Sequence, residues 1–444
     1  MKKHIFIKTA CLILTAALLL AGCRSQKTQQ DSVIDTSSME SFTEIPYSSS
    51  QPVSSEQSSM VQQSSNAAVT SSKPISSSTQ SSSVQSSSAQ SSSTPTVADT
   101  SDEMRAIWFT YIELDSILRN KTAQQFKSAI EERFDKCVKL GMNTVIVQVR
   151  SHADAIYPSR YYPTAVHFTN KRTNSAPFDA LQIMIEAAHN RGLEFHAWVN
   201  PFRGQRETHA LAENDPMKTY KNMTYLYDGI YYLDPAYSQV RELIVNGIKE
   251  IVTNYAVDGI HFDDRFYPAR DESIDQYSYM LYGNGRTRKQ FRLDNVNTLV
   301  KEIYNTIKSI KNIPFGISPQ GNVNNNYYTC FADVKLWAST AGYVDYIAPQ
   351  LYWSYGEGSL PFEKALPIWQ EMVTCEQVKL LIGLAPYKVG LKPEWTVGDI
   401  LAREIADSRK SSQYAGFIMY RYDYYVDTVC DIERQNVNAL LGVK

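Results

Sequence analysis

Short hydrophobic runs rich in β-branched and aromatic residues alternate with amphipathic segments from about residue 101 to the end of this 444-residue chain. Eight such runs occur, at 105–110, 144–149, 194–199, 259–262, 314–318, 345–349, 380–384 and 416–419. Eight β–α units in succession predict parallel strands covered by helices, and the count predicts a closed (β/α)8 TIM barrel. An open doubly wound sheet is the alternative, but no glycine-rich phosphate loop follows the first run.

The segments between the runs support this order of elements. Residues 122–140, residues 239–255 and a segment starting at Asp294 each carry apolar residues at helical spacing, and Gly141 and Gly192 fit helix C-terminal stops. The connections that enter strands are short, whereas several that leave strands are long. Long segments after strands indicate a functional C-terminal face, where barrel active sites form.

The N-terminal part has a different character. Residues 1–22 combine early lysines with a short apolar run and small residues, which is typical of a secretory signal peptide rather than a spanning helix. Residues 23–100 are dominated by serine, glutamine and other small residues, so they bury too little apolar surface to offset chain entropy. We therefore predict a disordered tether that averages roughly 50 Å end to end, followed by one folded domain at 101–444.

Polar and aromatic residues gather at the ends of the predicted strands, where a barrel places its chemistry. Amides, arginines and aromatic rings at these positions suit hydrogen bonding to hydroxyls and stacking on sugar rings. The candidate substrate-binding residues are Gln148, Arg150, Trp198, Asn200, Arg203, His261, Gln320, Asn322, Gln350, Tyr352, Trp353 and Tyr420. For the two histidines in strands, His196 and His261, a role as hydrogen-bonded core residues is the alternative.

Strand alternation refines these assignments. Side chains two residues apart share a face, so Gln148 and Arg150 are expected to point together into the barrel mouth. The same alternation pairs Trp198 with Asn200, and His261 with Asp263.

Four carboxylates are candidates for catalysis. Glycoside cleavage commonly uses two, one to protonate the leaving oxygen and one to attack or to activate water. Asp263 and Asp264 are adjacent, so in a continuing strand they point oppositely; we prefer Asp263 for the pocket, and Asp264 reaches it only if the chain turns. As the partner we rank Asp423 first and Glu357 second, and Glu113 and Asp154 also follow strands.

Other chemistries fit the sequence poorly. The seven histidines form no metal-spaced cluster and there is no Gly-x-Ser-x-Gly elbow, so we expect neither a metal nor another cofactor. A net charge of −2 without a dense basic stripe argues against nucleic acid. The widely spaced Cys137, Cys330, Cys375 and Cys430 leave disulfide pairing open, and Cys137 fits a core position.

Two resemblances carry the interpretation further. Residues 20–23, Leu-Ala-Gly-Cys, resemble the lipobox of bacterial lipoproteins, which implies cleavage before Cys23 and a lipid on that cysteine. The motifs RAIW (105–108), VDGIHFDDRFYP (257–268), GISPQGN (316–322) and YIAPQLYW (346–353) together resemble the glycosyl-hydrolase-like 10 family. The resemblance runs from about residue 103 to at least Asp423. Arg265 departs from the family, which often has tyrosine after the paired aspartates.

Family resemblance implies a barrel glycoside hydrolase that acts on bacterial cell-wall glycan, including peptide-free peptidoglycan strands, or on another polysaccharide. The expected location is the extracytoplasmic side of the cell membrane, with the lipid as anchor and the tether reaching into the wall. Strand five carries Gln320 where many barrel glycosidases have glutamate, so the alternative is a catalytically silent glycan-binding lipoprotein in wall assembly. A lipoprotein scaffold for a membrane partner is a third possibility.

Overall fold

The computed structural model describes residues 102–168, 170–173 and 175–443. The predicted signal peptide (1–22), the lipid-accepting Cys23 and the tether up to residue 100 lie outside the described residues. In the described part of the chain, no helix is long and apolar enough to cross a membrane.

Eight parallel strands close into a barrel, in the order β1, β2, β3, β7, β8, β9, β10, β11 and back to β1. The barrel strands are β1 Met104–Phe109, β2 Thr144–Arg150, β3 Glu194–Val199, β7 Gly259–Phe262, β8 Phe315–Ile317, β9 Tyr346–Ile347, β10 Lys379–Leu384 and β11 Tyr414–Met419. Each overlaps one of the eight runs in the sequence, and the predicted (β/α)8 barrel is confirmed.

Helices occupy the connections between strands. The α-helices are α1 Tyr111–Leu118, α2 Ala123–Lys139, α3 Ala180–His189, α4 Pro216–Thr219, α5 Ser238–Asn254, α6 Gln276–Tyr282, α7 Arg288–Ile310, α8 Val323–Asn325, α9 Val334–Ser339, α10 Phe362–Met372, α11 Ile400–Ser408, α12 Tyr422–Val426 and α13 Asp431–Leu441. A π-helical turn, Asn326–Cys330, follows α8, and short 3-10 turns lie at Lys221–Met223, Pro386–Lys388, Pro393–Trp395 and Thr428–Cys430.

The helix boundaries follow from capping residues. Thr122 and Gln125 form a reciprocal capping box at the start of α2. The helix expected from Asp294 begins earlier, at Arg288, because the Thr287 side chain accepts the Gln290 amide and fixes the first turn. The first turn of this helix is rich in charged residues, so the hydrophobic pattern did not reveal it.

A second, three-stranded antiparallel sheet interrupts the long connection between β3 and α5. It consists of β4 Arg203–Arg206, β5 Thr224–Tyr227 and β6 Ile230–Leu233, in the order β4-β6-β5. The β5–β6 hairpin turns on Asp228 and Gly229, which both have left-handed backbone angles (φ 49° and 68°), as a two-residue type I′ turn requires. The sheet was not predicted, although Asp-Gly between two β-rich runs is a strong hairpin signal.

A buried hydrogen-bond chain crosses the barrel interior beneath the mouth. Trp108 Nε1 donates to His261 Nε2 at 3.2 Å, so Nδ1 of the imidazole carries the proton and donates to the Tyr346 hydroxyl at 2.9 Å. The same hydroxyl lies 3.2 Å from His196 Nδ1. Burial, and then the neighbouring His196, hold the pKa of His261 well below its usual value. Gly316 has no room for a Cβ because the Tyr346 ring lies against it.

The four cysteines in the described part of the chain are unpaired. Cys137, Cys330 and Cys430 are buried and Cys375 is partly exposed. Cys137 lies on the inner face of α2 among its buried residues, in the core position expected for it.

Candidate active site

The strand β7 ends just before the paired aspartates, and the chain turns there. Asp263 Oδ1 accepts the backbone N–H of Arg265 at 2.9 Å, the side-chain-to-backbone bond of an Asx turn. The turn directs Asp264 towards the neighbouring strand ends, where its carboxylate accepts Gln320 Nε2 at 3.1 Å and Gln350 Nε2 at 3.4 Å. Three consecutive barrel strands therefore converge on Asp264.

The two aspartates have different electrostatic environments. Burial, and secondly the charge of Asp264, raise the pKa of Asp263 to about 7, against the opposing effects of Arg265 and Arg203. Asp264 is partly exposed, and its Oδ1 lies 3.7 Å from the Arg265 guanidinium. Near neutral pH the site therefore contains one carboxyl that readily holds a proton beside one that faces two amides and a guanidinium, a division typical of acid/base pairs.

Tyrosine rings form one wall beside these carboxylates. The Tyr352 ring lies 5.6 Å from Tyr420 and 5.7 Å from Tyr387, and Tyr420 meets Trp108 edge-on at 5.8 Å. Burial raises the pKa of Tyr352 and Tyr420 above the usual value, so both remain neutral hydroxyls. An apolar face with a hydroxyl tip suits the face of a sugar ring and its substituents.

The small antiparallel sheet forms another side of the site. Arg203 on β4 is in register with Tyr232 on β6, and Tyr232 lies near both Arg203 and Arg265. Burial raises the pKa of Tyr232, while Arg203 and Arg265 oppose that rise. Arg203 was expected at the site from its place after strand three. Tyr232 was missed because the hairpin that positions it was not identified.

The ends of β2 and β3 are tied together. Gln148 Nε2 donates to Asn200 Oδ1 at 3.1 Å, and Gln148 Oε1 accepts the Tyr111 amide at 3.1 Å. The prediction that Gln148 and Arg150 both point into the barrel mouth is wrong, because the β2–β3 register shifts between these two residues. The Arg150 guanidinium instead lies 4.3 Å over the Tyr162 ring.

Several predicted contact residues support the site from below or from the side. Trp198 is buried in the barrel core, edge-on to His261 at 6.2 Å, and His261 has both ring nitrogens engaged. Asn322 caps α8 by accepting two backbone amides. Trp353 is half-buried, and its ring leaves no space for a Cβ at Gly321.

The other candidate carboxylates make contacts of their own. Asp423 is exposed in the first turn of α12. Glu113, which also follows a strand, is buried and accepts the Thr110 amide at 2.9 Å and Arg421 Nη1 at 2.6 Å. Glu113 is therefore held by the loop after β1 and by Arg421.

Glu357 is enclosed by donors of the surrounding loops. Its carboxylate accepts the Ser354 amide at 2.9 Å, Trp395 Nε1 at 2.8 Å and Lys392 Nζ at 2.9 Å, and Lys388 lies 3.3 Å away. Although burial opposes it, these donors and charges lower the pKa of Glu357 to about 2. A carboxylate held in this way fastens two loops together and is a poor proton donor.

Glu357→Gln is therefore expected to lower the free energy of unfolding by about 1–2 kcal/mol at neutral pH, allowing for solvent screening of Lys392. Because the pKa is depressed, the stabilisation exists above about pH 4.5 and is lost as pH falls through about 2. Urea denaturation at pH 7 and pH 3 measures the deficit, which should shrink at the lower pH. A large loss of turnover with unchanged stability would instead place Glu357 in catalysis.

Among residues 102–168, 170–173 and 175–443, no group of three or more histidine, cysteine, aspartate or glutamate side chains is placed to hold a metal ion. The convergent groups of the site are carboxylates, amides, tyrosines and arginines. Such a set can bind hydroxyls and transfer protons.

The chain is similar in sequence to proteins named as glycosyl hydrolases. Glycosyl hydrolase YngK of Bacillus subtilis (strain 168) is 35% identical over 341 residues, covering 70% of this chain and 67% of the relative. Glycosyl hydrolase DigH of Escherichia coli (strain K12) is 30% identical over 374 residues, covering 74% of this chain and 85% of the relative.

Among solved structures, alpha-L-fucosidase isoenzyme 2 from Paenibacillus thiaminolyticus superposes with a TM-score of 0.50 at 14% identity, over 76% of this chain and 49% of that one. This chain thus spans about half the length of the fucosidase, and the likeness concerns the fold alone. The profile of the family described as Glycosyl hydrolase-like 10 matches residues 103–397. The chain belongs to the glycosyl hydrolase-like 10 family.

Proposed function

We propose that this protein hydrolyses glycosidic bonds and that Asp263 and Asp264 carry the reaction. One observation supports this most directly: two adjacent carboxyls at the barrel mouth have different environments, and one has a pKa of about 7. Hydrolysis of a glycoside needs a proton for the leaving oxygen and a negative group facing the positive charge that develops on the sugar. The pair supplies both at neutral pH.

The roles follow from the contacts. Asp263 holds a proton near pH 7 and donates it to the glycosidic oxygen as the bond to the anomeric carbon breaks. Asp264, set by Gln320 and Gln350, faces the developing cation as a carboxylate. Water supplies the hydroxyl that ends on the anomeric carbon, and its remaining proton restores Asp263. Tyr352 and Tyr420 provide the ring-stacking wall.

The substrate that best fits is a polysaccharide of the cell wall, and we favour the glycan strand of peptidoglycan. The signal-like segment, Cys23 in its lipobox-like context and the serine-rich tether support an extracytoplasmic, lipid-anchored protein that reaches into the wall. Incorporation of labelled palmitate into the full chain, and none into Cys23→Ala, tests the anchor.

Incubation of the full chain with peptide-free glycan strands tests the reaction. We expect shorter saccharides with new reducing ends, measured by chromatography and a reducing-sugar assay. Gln320 at the end of β8, in place of the glutamate of many barrel glycosidases, favours the second candidate, a glycan-binding protein without turnover. Tight strand binding with no release of saccharides from peptidoglycan or other polysaccharides would support that alternative.

A further inference from the structure

A groove of about 390 Å³ lies between the N-terminal ends of α5 and α7, beside the end of α6. Its volume falls within the range of about 300–1,000 Å³ found for small-molecule sites. It is separate from the residues assigned to the candidate active site. The lining residues used below are Ser238, Gln239, Arg241, Tyr282, Arg286 and Asp294.

One side of the groove is an exposed tyrosine beside a fixed charged pair. The Tyr282 side chain is 41% exposed, and Tyr237 meets its ring edge-on at 5.5 Å. Arg286 Nη1 donates to Asp294 Oδ2 at 2.8 Å, while Nη2 and Nε donate to the carbonyls of Tyr282 and Gly283 at 2.7 and 3.1 Å. An accessible ring therefore lies next to polar groups that are held in place before any ligand arrives.

The opposite side consists of polar side chains at the start of α5. Tyr237, at the N-cap, provides no side-chain cap. Ser238 and Gln239 line the groove, and Ser238 Oγ donates to Gln239 Oε1 at 3.2 Å. Arg241 Nη1 donates to the carbonyls of Pro235 and Ala236 at 2.7 and 3.3 Å. Because Asp294 neutralises Arg286 and Arg241 is engaged by carbonyls, these donors and acceptors suit a neutral polyhydroxyl ligand better than an anion.

A series of contacts connects the groove to the candidate active site. Gln320, whose side chain donates to Asp264, also donates its backbone N–H to Asn326 Oδ1 at 3.0 Å. The next residues, Tyr327 and Tyr328, both lie 5.3 Å from Lys289 Nζ. Lys289 lies in the first turn of α7, three residues after Arg286, which precedes the helix and lines the groove.

We infer that this groove is a second carbohydrate-binding site, which holds sugar units of a long glycan chain at a distance from the unit that is cleaved. The ring of Tyr282 covers the apolar face of a sugar, and Ser238, Gln239 and Asp294 bind hydroxyls. The identity of the ligand rests on the proposed function, but the site does not take part in bond cleavage. Its effect is to raise affinity for chains long enough to reach it.

The test compares long peptide-free glycan strands with tetrasaccharides of the same repeat, using the full chain. Binding is measured in an Asp264→Asn background, and turnover is measured without that substitution. Tyr282→Ala is expected to weaken binding of long strands about tenfold and to leave tetrasaccharide turnover unchanged. Tyr277→Ala is the matched control, because it removes a tyrosine of the same helix that is 61% exposed and does not line the groove.

Gln239→Ala provides a second probe without an aromatic side chain, and it should weaken long-strand binding by a smaller factor. Equal long-strand affinity for wild type, Tyr282→Ala and Gln239→Ala overturns the inference, whether or not the wild type hydrolyses the strand. Equal losses in Tyr277→Ala and Tyr282→Ala overturn it as well. If only Tyr282→Ala and Gln239→Ala lose long-strand binding, the second binding site is supported. If the wild type in the same experiment releases no saccharides, the proposed hydrolase activity is contradicted while the binding site stands.

Discussion

Asp264→Asn is expected to lower kcat/KM on glycan strands by at least about 1,000-fold, the scale of losing a major electrostatic group at a reacting centre. The substitution keeps the shape of the side chain and removes its negative charge. Gln320 and Gln350 then donate to a neutral amide. The side chain at position 264 no longer stabilises the positive charge that develops on the sugar. Reducing ends released per unit time, across a range of strand concentrations, give the value.

Folding should survive the same change. Asp264 is partly exposed, and its removal relieves repulsion with Asp263 while it weakens the contact with Arg265, so the free energy of unfolding is expected to change by about 1 kcal/mol or less. Asp271→Asn, the same substitution farther along the loop after β7, is the control and should leave turnover intact. Comparable turnover in Asp264→Asn and wild type would exclude Asp264 from the reaction.

The barrel followed from the sequence because its signal is repeated eight times and each unit is local. Val145, Ile146 and Val147 make a buried strand in any context that supplies neighbours on both faces. The strand ends also pointed to Gln320, Gln350 and the paired aspartates, because parallel strands direct their carboxyl ends to one face.

The residues that were misplaced depend on departures from regular geometry. Arg150 leaves the mouth because the pairing of β2 with β3 shifts by one residue after Gln148, and alternation holds only while register does. Asp264 reaches Gln320 because an Asx turn at Asp263 redirects the chain. The sequence predicts that turn only if the strand is known to end at Phe262. A register shift and a side-chain-to-backbone turn are local changes of geometry that the hydrophobic pattern of the sequence does not reveal.

Long-range partners are the other source of difference. Glu357 was a candidate because it lies in the loop after strand six, yet Trp395 and Lys392 from a later loop bind its carboxylate. Tyr232 joins the site through a hairpin that no catalytic motif marks. Such contacts are set by tertiary packing, so a sequence motif identifies them only when the partner strand or hairpin is identified as well.

Asp263→Asn is expected to alter both the pH dependence of turnover and that of stability. In the wild type, Asp263 gives up its proton as pH rises through about 7, so turnover that needs this proton falls on the alkaline side. Asparagine cannot supply the proton, and we expect kcat to fall by about 100- to 10,000-fold, the usual contribution of a general acid. The small remaining activity should show no decline near pH 7.

The stability effect has the opposite sign. The pKa of Asp263 is higher in the folded protein than its ordinary value of 3.8. The contribution of the Asp263 carboxyl to stability is therefore fully present below pH 3.8 and is lost as pH rises through about 7. Asparagine still accepts the Arg265 amide and carries no charge to bury. Asp263→Asn should therefore exceed the wild type in unfolding free energy by on the order of 2–4 kcal/mol at pH 8.

Urea denaturation at pH 5 and pH 8 measures this difference, with Asp271→Asn as the exposed control that should follow the wild type at both values. The excess stability of Asp263→Asn should be much smaller at pH 5, where the wild-type carboxyl is protonated. If Asp263 is a general acid that loses its proton near pH 7 in the folded protein, wild-type turnover declines at alkaline pH and Asp263→Asn is more stable than the wild type at that pH. If the excess is the same at both pH values, Asp263 does not titrate near 7, and the proton for the leaving oxygen comes from another group.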